Sequence, residues 1–482
     1  MRIHSLLFRC FSPALAAALL FLPRIERAQG AHGILKSDMD PTADACRDFP
    51  RYADGGWLAR NPVPAAYSRW GTFIILANHN REILRSILDE AAADRKAASG
   101  SERQKLGDFY AACMDESKAE ADGAKPLEPE LERIAKVHDR GSLDSEIARL
   151  QTEGADVLFG FGSQQDKKNS NEVIAAASQG GLGLPDRDYY LKTDEKSKTL
   201  REQYSAHVAR MLELLGDSPE AARSGAAAVM AIETRLAEAS MTRVERRDAD
   251  ATYHPMAVAG LETLAPNFGW KSFLEAVDSP PVKTINIGQP KFFEALSHEL
   301  ASVPLADWKT YLRWHLVEAA APALSSKFVQ EDFAFNGEIL QGKKEILPRW
   351  QRCVSATDGS LGFALGRLYV ARAFPPEAKV RADTMVKNLI AALREDLATL
   401  PWMGEATRKA ALEKLNAFTP KIGYPDEWRD YSAYRVARAS YAANLLAGNE
   451  FEFHRILNKI GQPVDRKEWG MTPPTVNAYY NP

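Results

Sequence analysis

Apolar side chains recur every three to four residues along most of this chain, the spacing that draws one stripe down a helix. Leu200, Tyr204, Val208, Met211, Leu212 and Leu215 form one such stripe, and Gly216 follows as a stop. Ser218 then offers an N-cap and Pro219 a first-turn residue, opening a second helix through Ile232 and Leu236. A third stripe runs from Phe73 through Leu76, Ile83, Leu84, Ile87 and Leu88. Val386, Leu389, Ile390, Leu393, Leu397 and Leu400 make a fourth, which Pro401 ends. Period-two text is sparse. VLFGFGS from Val157 reads as one strand, and the closing VNAYY reads as another, because Val476, Ala478 and Tyr480 alternate with Asn477 and Tyr479. No turn, second strand or helix follows that last run in the sequence, so its pairing partner is an open question. Glycine and proline cluster near residues 180–185, 279–290 and 419–425, which marks loops, and no internal repeat is present. The chain reads as mainly α.

A length of 482 residues predicts two or three lobes. Hydrophobic content of 45% and charged content of 26% are those of an ordinary globular protein. A net charge of -3 gives no basis for a nucleic-acid partner. The first 30 residues stand apart: Arg2 and Arg9 precede the uncharged run Phe11–Pro23, and small residues follow at Ala28 to Ala31. That run is shorter than the about 20 residues a membrane span needs, so it reads as a cleaved export signal, with a short membrane anchor as the alternative. Export to a periplasmic or extracellular space makes disulfides admissible. Of Cys10, Cys46, Cys113 and Cys353, cleavage removes the first and leaves an odd thiol.

Catalytic signatures are incomplete. A hydrolytic zinc helix needs two histidines four residues apart with a glutamate beside the first. The nearest approach is His298-Glu299-Leu300-Ala301-Ser302, which lacks the second histidine, and no two of the nine histidines have that spacing. His298 therefore reads as an ordinary polar helix residue. DGSLG at Asp358–Gly362 lacks the first glycine of a nucleophile elbow, and GGLGLP from Gly180 has neither phosphate-loop nor dinucleotide spacing. The arginines of TRVERRDAD (Arg243, Arg246 and Arg247) alternate with acids and read as a solvated, self-paired surface. Cys113 in FYAACMDE has no histidine near it in sequence and reads as a disulfide cysteine.

The same stretches, taken in order, resemble the neprilysin and endothelin-converting-enzyme family of zinc metallopeptidases. The resemblance runs from MDPTADACRDFPRYADGGWLARNPVPAAYSRWG (Met39–Gly71) through FYAACMDESKAE and LFGFGSQQDKKNSNEVIAAASQGGLGLPDRDYY. It continues through MTRVERRDADATYHPM, LPRWQRCV and AFTPKIGYPDEWRDYS to PPTVNAYYNP. It implies a large helical lobe of the neprilysin type and the incomplete start of a thermolysin-like α/β catalytic lobe. The implied divisions are a signal over 1–30, a segment over 31–72 belonging to the catalytic lobe, a helical domain over 73–420, and the start of the catalytic lobe over 421–482. The family's H-E-x-x-H helix, its third zinc ligand and its downstream histidine all follow the N-A-Y/F-Y strand, and this sequence ends before them. The resemblance therefore implies the N-terminal domain of an exported zinc metalloendopeptidase, inactive alone, with zinc in the family and none bound by this chain. Half of a split peptidase completed by a separate C-terminal piece, and a non-catalytic peptide-binding protein, are the alternatives.

Three site assignments come with the resemblance. Asn477 and Ala478 match the family's asparagine and alanine that hold substrate backbone by edge-strand hydrogen bonds. Arg69 matches an arginine that in some members meets the peptide carboxylate; Ile74 and Ala77 stand where an acid and a second arginine would support it, so a surface salt bridge is an equal reading. Cys113 and Cys353 match a family disulfide, whereas Cys46 matches a cysteine whose partner lies near the family's far C-terminus and is left as a free thiol. Asp54 replaces the second cysteine of that block.

Overall fold

The structure, a computed structural model, describes residues 35–481; the export-signal reading and Cys10 lie outside them. The described residues divide into two compact units, one ending at Pro64 and the other beginning at Ala65. In the first, α1 spans Phe49–Arg60, with Asp48 accepting from the Arg51 N–H as its cap. Arg60 reaches Asp38 at 2.6 Å and Arg51 reaches Asp40 at 3.0 Å, so two ion pairs hold the preceding turn to the helix. No residue of α1 is buried, and Cys46 is an exposed free thiol.

The second unit carries the rest. α2 (Thr72–Ala93), α3 (Glu102–Met114) and α4 (Arg140–Thr152) lead into β1 (Phe159–Gln165) and β2 (Val173–Gln179). α5 (Glu195–Leu214) and α6 (Pro219–Ala239) follow, then the short β3 (Pro255–Met256) and β4 (Ile285–Ile287). α7 (Pro290–Ser302), α8 (Leu305–Ala320), α9 (Arg349–Ala373), α10 (Pro376–Thr399), α11 (Glu405–Asn416) and α12 (Tyr441–Leu457) complete the main elements. Ser218 caps α6 by accepting from the Ala221 N–H, with Pro219 in the first turn, as the sequence predicts. The sheet runs β1-β2-β4-β3: β1 and β2 are antiparallel, β2 and β4 parallel, β3 and β4 antiparallel. The fold is mainly helical, as expected.

Two apolar cores form. The larger packs α4 to α8 on the sheet, with the Phe159 ring 5.3 to 5.5 Å from Phe268, Trp270, Phe273 and Phe293. The smaller gathers α2, α3 and α9 around Tyr431 and Tyr434. Within the larger core, Glu233 of α6 is completely buried. Tyr190 donates to it at 2.8 Å and Tyr204 at 2.9 Å, Trp314 Nε1–H donates to the Tyr204 oxygen at 3.0 Å, and His315 Nε2 stands 3.1 Å away. Burial, reinforced by the Glu233 charge, pushes both tyrosine hydroxyls well above their ordinary value, so they remain donors. The same layer fixes the GGLGLP loop. Tyr190 accepts from the Leu184 N–H at 2.8 Å, and Tyr311 accepts from Leu158 N–H at 3.0 Å while donating to the Gly181 carbonyl at 2.9 Å. Gly181 has φ +73°, which only glycine adopts without strain. The loop is a packed corner with no phosphate cradle.

Two outcomes differ from the sequence expectation. The apolar stripe of α10 is helical but only half covered: no residue of the helix is buried, and Val386, Ile390, Leu397 and Leu400 of the stripe are half-buried. Leu389 and Leu393 are 62% and 43% exposed, as are Val380 (64%) and Met385 (58%) beside the stripe. Val380, Met385 and Leu389 border a shallow groove of about 500 Å³. The terminal strand is also not formed; residues 475–481 carry no strand pairing. A strand is held by a neighbour's row of N–H and C=O groups, and among the described residues nothing aligns with this one.

Two buried acids on α4 set a pH dependence. Asp144 accepts from the Gly269 N–H at 2.9 Å, and Glu146 stands 3.5 Å from Arg133 Nε. Burial outweighs these partners and lifts Asp144 to about 6 and Glu146 to about 7. The folded state therefore holds protons the unfolded chain has released, and stability from these groups falls as pH rises through 6 and 7. Each ionisation costs the fold on the order of 3 kcal/mol. The substitution Glu146→Gln is expected to flatten the decline in urea midpoint between pH 4.5 and about 7; a profile as steep as that of the unsubstituted chain would refute the assignment.

Candidate functional site

The backbone leading to Asn477 and Ala478 is tied down in stages. Beyond α12, Gly461 N–H donates to the Val173 carbonyl at 2.8 Å, Val173 N–H to Gln462 at 3.1 Å, and Val464 N–H to Asn171 at 3.0 Å. This lays the segment against the start of β2. Next, Glu468 accepts from Arg455 and Lys459, both at 2.6 Å, and Lys421 donates to its carbonyl. Burial would raise the Glu468 carboxyl, but Lys459 and Arg455 outweigh it and hold it below its ordinary value. Arg455 lies in the last turn of α12 and Lys459 in the turn just past its C-cap Asn458, so the end of the helix brings both charges to Glu468.

Asn477 and Ala478 are exposed. The Ala478 N–H donates to Asn477 Oδ1 at 2.8 Å, so the asparagine oxygen turns back on its own chain. Tyr479 accepts from the Gly470 N–H at 3.1 Å, and the Tyr480 ring lies 6.0 Å from Phe418 and 5.5 Å from Lys414 Nζ. Residues 476–481 make no main-chain to main-chain hydrogen bond among the described residues. Apart from the Ala478 N–H, which Asn477 Oδ1 holds, their N–H and C=O groups are thus open to an added extended peptide.

Arg69 is exposed and has no ion pair among the described residues, and no hydrogen bond joins it to Asn477 or Ala478. Nearby, Tyr67 donates to Asn78 Oδ1 at 3.0 Å and Arg81 to the same oxygen at 2.6 Å. Cys113 and Cys353 are joined in a disulfide that spans 240 residues of sequence and sits in the smaller core. His298 is exposed on α7, and its neighbour Glu299 is engaged by Arg235. The arginine-rich loop departs from the self-paired reading: Arg243 pairs with Asp186 at 2.6 Å, while Glu245 accepts from the Thr242 N–H at 2.7 Å. Asp248 likewise accepts from the Asp250 N–H at 2.9 Å, the local bond that short acids make in turns. Among the described residues no group of three or more histidines, cysteines, aspartates or glutamates is placed to hold a metal.

A sequence model described as peptidase family M13 matches residues 45–425. The chain belongs to peptidase family M13. It is 35% identical over 469 residues to human endothelin-converting enzyme 1, covering 92% of this chain and 60% of that protein. Neprilysin-3 of Drosophila melanogaster is 32% identical over 480 residues, again with 60% of its length covered. Among solved structures, the Mycobacterium tuberculosis zinc metalloprotease Zmp1 in complex with inhibitor superposes with TM-score 0.88 at 38% identity, covering 93% of this chain and 68% of that one. The open state of the same protease gives a TM-score of 0.79. This M13 chain thus spans about three fifths of the length of the curated relatives it matches.

The disulfide closes the helical lobe on itself, joining α3 to α9 in the M13 chain. A loop of 240 residues is worth about 5 kcal/mol in the chain-entropy account. The paired change Cys113→Ala and Cys353→Ala is expected to lower the urea midpoint and abolish the sensitivity of that midpoint to dithiothreitol. A midpoint unmoved by both the substitutions and the reductant would contradict a stabilising role.

Proposed function

We propose that this chain is the N-terminal portion of an exported zinc metalloendopeptidase and that its own residues hold peptide without cutting it. The M13 match over residues 45–425 carries the reading. The boundaries that go with it are a signal over 1–30, a segment over 31–72, a helical domain over 73–420 and the start of a catalytic lobe over 421–482. In this reading Asn477 and Ala478 offer main-chain and amide groups to an extended peptide, and Arg69 offers a charge to a peptide carboxylate. Hydrolysis belongs to the whole enzyme, where zinc supplies Lewis acidity and an activated water.

One observation favours a second reading, a split peptidase completed by a separate C-terminal piece. One side of α10 leaves Val380, Met385, Leu389 and Leu393 exposed together, and a patch of that kind on a folded protein marks an interaction surface. Burying Val380, Met385, Leu389 and Leu393, each already partly covered, would contribute on the order of 1 kcal/mol each to a complex before the cost of association.

Three assays separate the readings. The purified chain, supplied with zinc, is expected to leave a quenched fluorogenic peptide intact. It is expected to bind a labelled decapeptide, with Asn477→Ala weakening that binding about tenfold and Arg69→Ala weakening only peptides with a free carboxylate. Adding the part of the Mycobacterium relative that lies beyond the matched length is expected to restore chelator-sensitive cleavage under the second reading. Cleavage by the chain alone that a chelator abolishes would overturn the proposal.

A further inference from the structure

α9 is not a continuous helix: at Leu361 the backbone turns to φ -128° and ψ 26°. Asp358, Gly362 and Gly366 lie one turn apart across this kink and face the corner at Thr472–Pro474. Thr472 Oγ1–H donates to Asp358 Oδ2 at 3.2 Å, while the other carboxylate oxygen is buried without a partner. A Cβ at Gly362 would collide with the Thr472 methyl, and one at Gly366 would stand 2.6 Å from Pro473 Cδ. The two glycines therefore cut a notch into the helix that the corner fills. On the other side, Asn80 of α2 donates through Nδ2 to the Pro474 carbonyl at 2.8 Å, and Tyr369 donates to Asn80 Oδ1 at 3.0 Å. The Thr475 N–H closes the turn on the Thr472 carbonyl at 3.0 Å, and Pro474 is buried.

We infer that this notch in α9, with Asn80 of α2, is the seat that fixes where Asn477 and Ala478 emerge, so that Asp358, Gly362, Gly366 and Asn80 are positioning residues for peptide binding. The inference rests on the reading that Asn477 and Ala478 hold peptide. Its physical basis is that residues 476–481 make no main-chain to main-chain hydrogen bond, so that between the corner and the side-chain contacts of Tyr479 and Tyr480 nothing else fixes the backbone of Asn477 and Ala478. Asn477 follows Pro474 by three residues, at most about 10 Å of extended chain, so displacement of the corner passes directly to the peptide-holding groups. The prolines at 473 and 474 limit the backbone freedom that binding would otherwise have to remove. Asp358 is the group with most at stake. Burial raises its carboxyl to about 6, against the Thr472 bond and the Arg81 charge that oppose the rise.

The test uses the full chain, with Gly366→Ala to crowd the corner, Thr472→Val to delete the hydroxyl, and Asp358→Asn, which keeps an acceptor for Thr472. Hydrogen exchange at the Thr475 and Gly470 amides reports the seat, since the first bonds Thr472 and the second bonds Tyr479. Fluorescence polarisation of a labelled decapeptide reports binding. Gly366→Ala and Thr472→Val are expected to speed exchange at both amides and to weaken peptide binding about tenfold, with the thermal midpoint of the whole chain nearly unchanged and Asp358→Asn close to the unsubstituted protein. Exchange and affinity both unchanged in Gly366→Ala would overturn the inference. Faster exchange with unaltered affinity would also overturn it, by showing a seat with no positioning role. A chain that binds no peptide in any form, with exchange still sensitive to Gly366→Ala, would overturn instead the reading on which the inference rests.

Discussion

One buried carboxylate organises the helical lobe. Glu233 lies at the centre of the larger core, and a bare charge there would be prohibitively expensive to desolvate. It is tolerated because Tyr190, Tyr204 and His315 converge on it from three separate segments. That requirement is also a constraint on geometry: the short helix bearing Tyr190, the long helix α5 and α8 must each meet α6 in one register for the charge to be satisfied. The same tyrosine layer continues into the Gly181–Leu184 corner, which links the sheet to the helices. An apolar core of equal size would tolerate sliding of one helix along another; a hydrogen-bonded carboxylate does not.

The two cores relate differently to what surrounds them. The larger is closed on all its described sides, with Trp270, Trp308 and Trp314 all but fully buried. The smaller is closed by the disulfide and by the Tyr431–Tyr434 segment, but the chain leaving α9 enters a hairpin of α10 and α11 in which only Leu415 is buried. The family relationship makes this intelligible, since the M13 relatives carry further sequence over about two fifths of their length that this chain does not match.

Much of the helical architecture was legible because helix packing leaves a local record. The stripe from Leu200 to Leu215, the Ser218–Pro219 start and the stop at Pro401 are each encoded within a few residues of where they act. β2 was not legible: VIAAASQ is alanine-rich and lacks alternation, and it becomes a strand because β1 and β4 flank it. Glu233 left no signal either, because a glutamate in a long helix reads as a surface residue unless its distant partners are known. The α10 stripe shows the converse limit. Periodicity foretold the helix and its apolar face but not what lies upon that face. At the candidate site, the alternation of Val476, Ala478 and Tyr480 was visible, whereas strand formation depends on a neighbour that local sequence does not specify. Asp358 and the two glycines of α9 leave no local signal, because DGSLG reads on its own as a broken catalytic elbow and the partner of Asp358, Thr472, lies 114 residues away.

The hairpin of α10 and α11 has one further consequence, for survival in the cell. Segments with few buried contacts open at the lowest free energy, well before the rest of a domain unfolds. Here such a segment joins the disulfide-closed helices to the run that carries Tyr431 and α12. A nick in it would sever the polypeptide between two well-packed regions and leave both folded for a time. Turnover would then begin at this joint, and the abundance of intact protein would be governed by how often the hairpin loosens, whatever the strength of the cores on either side.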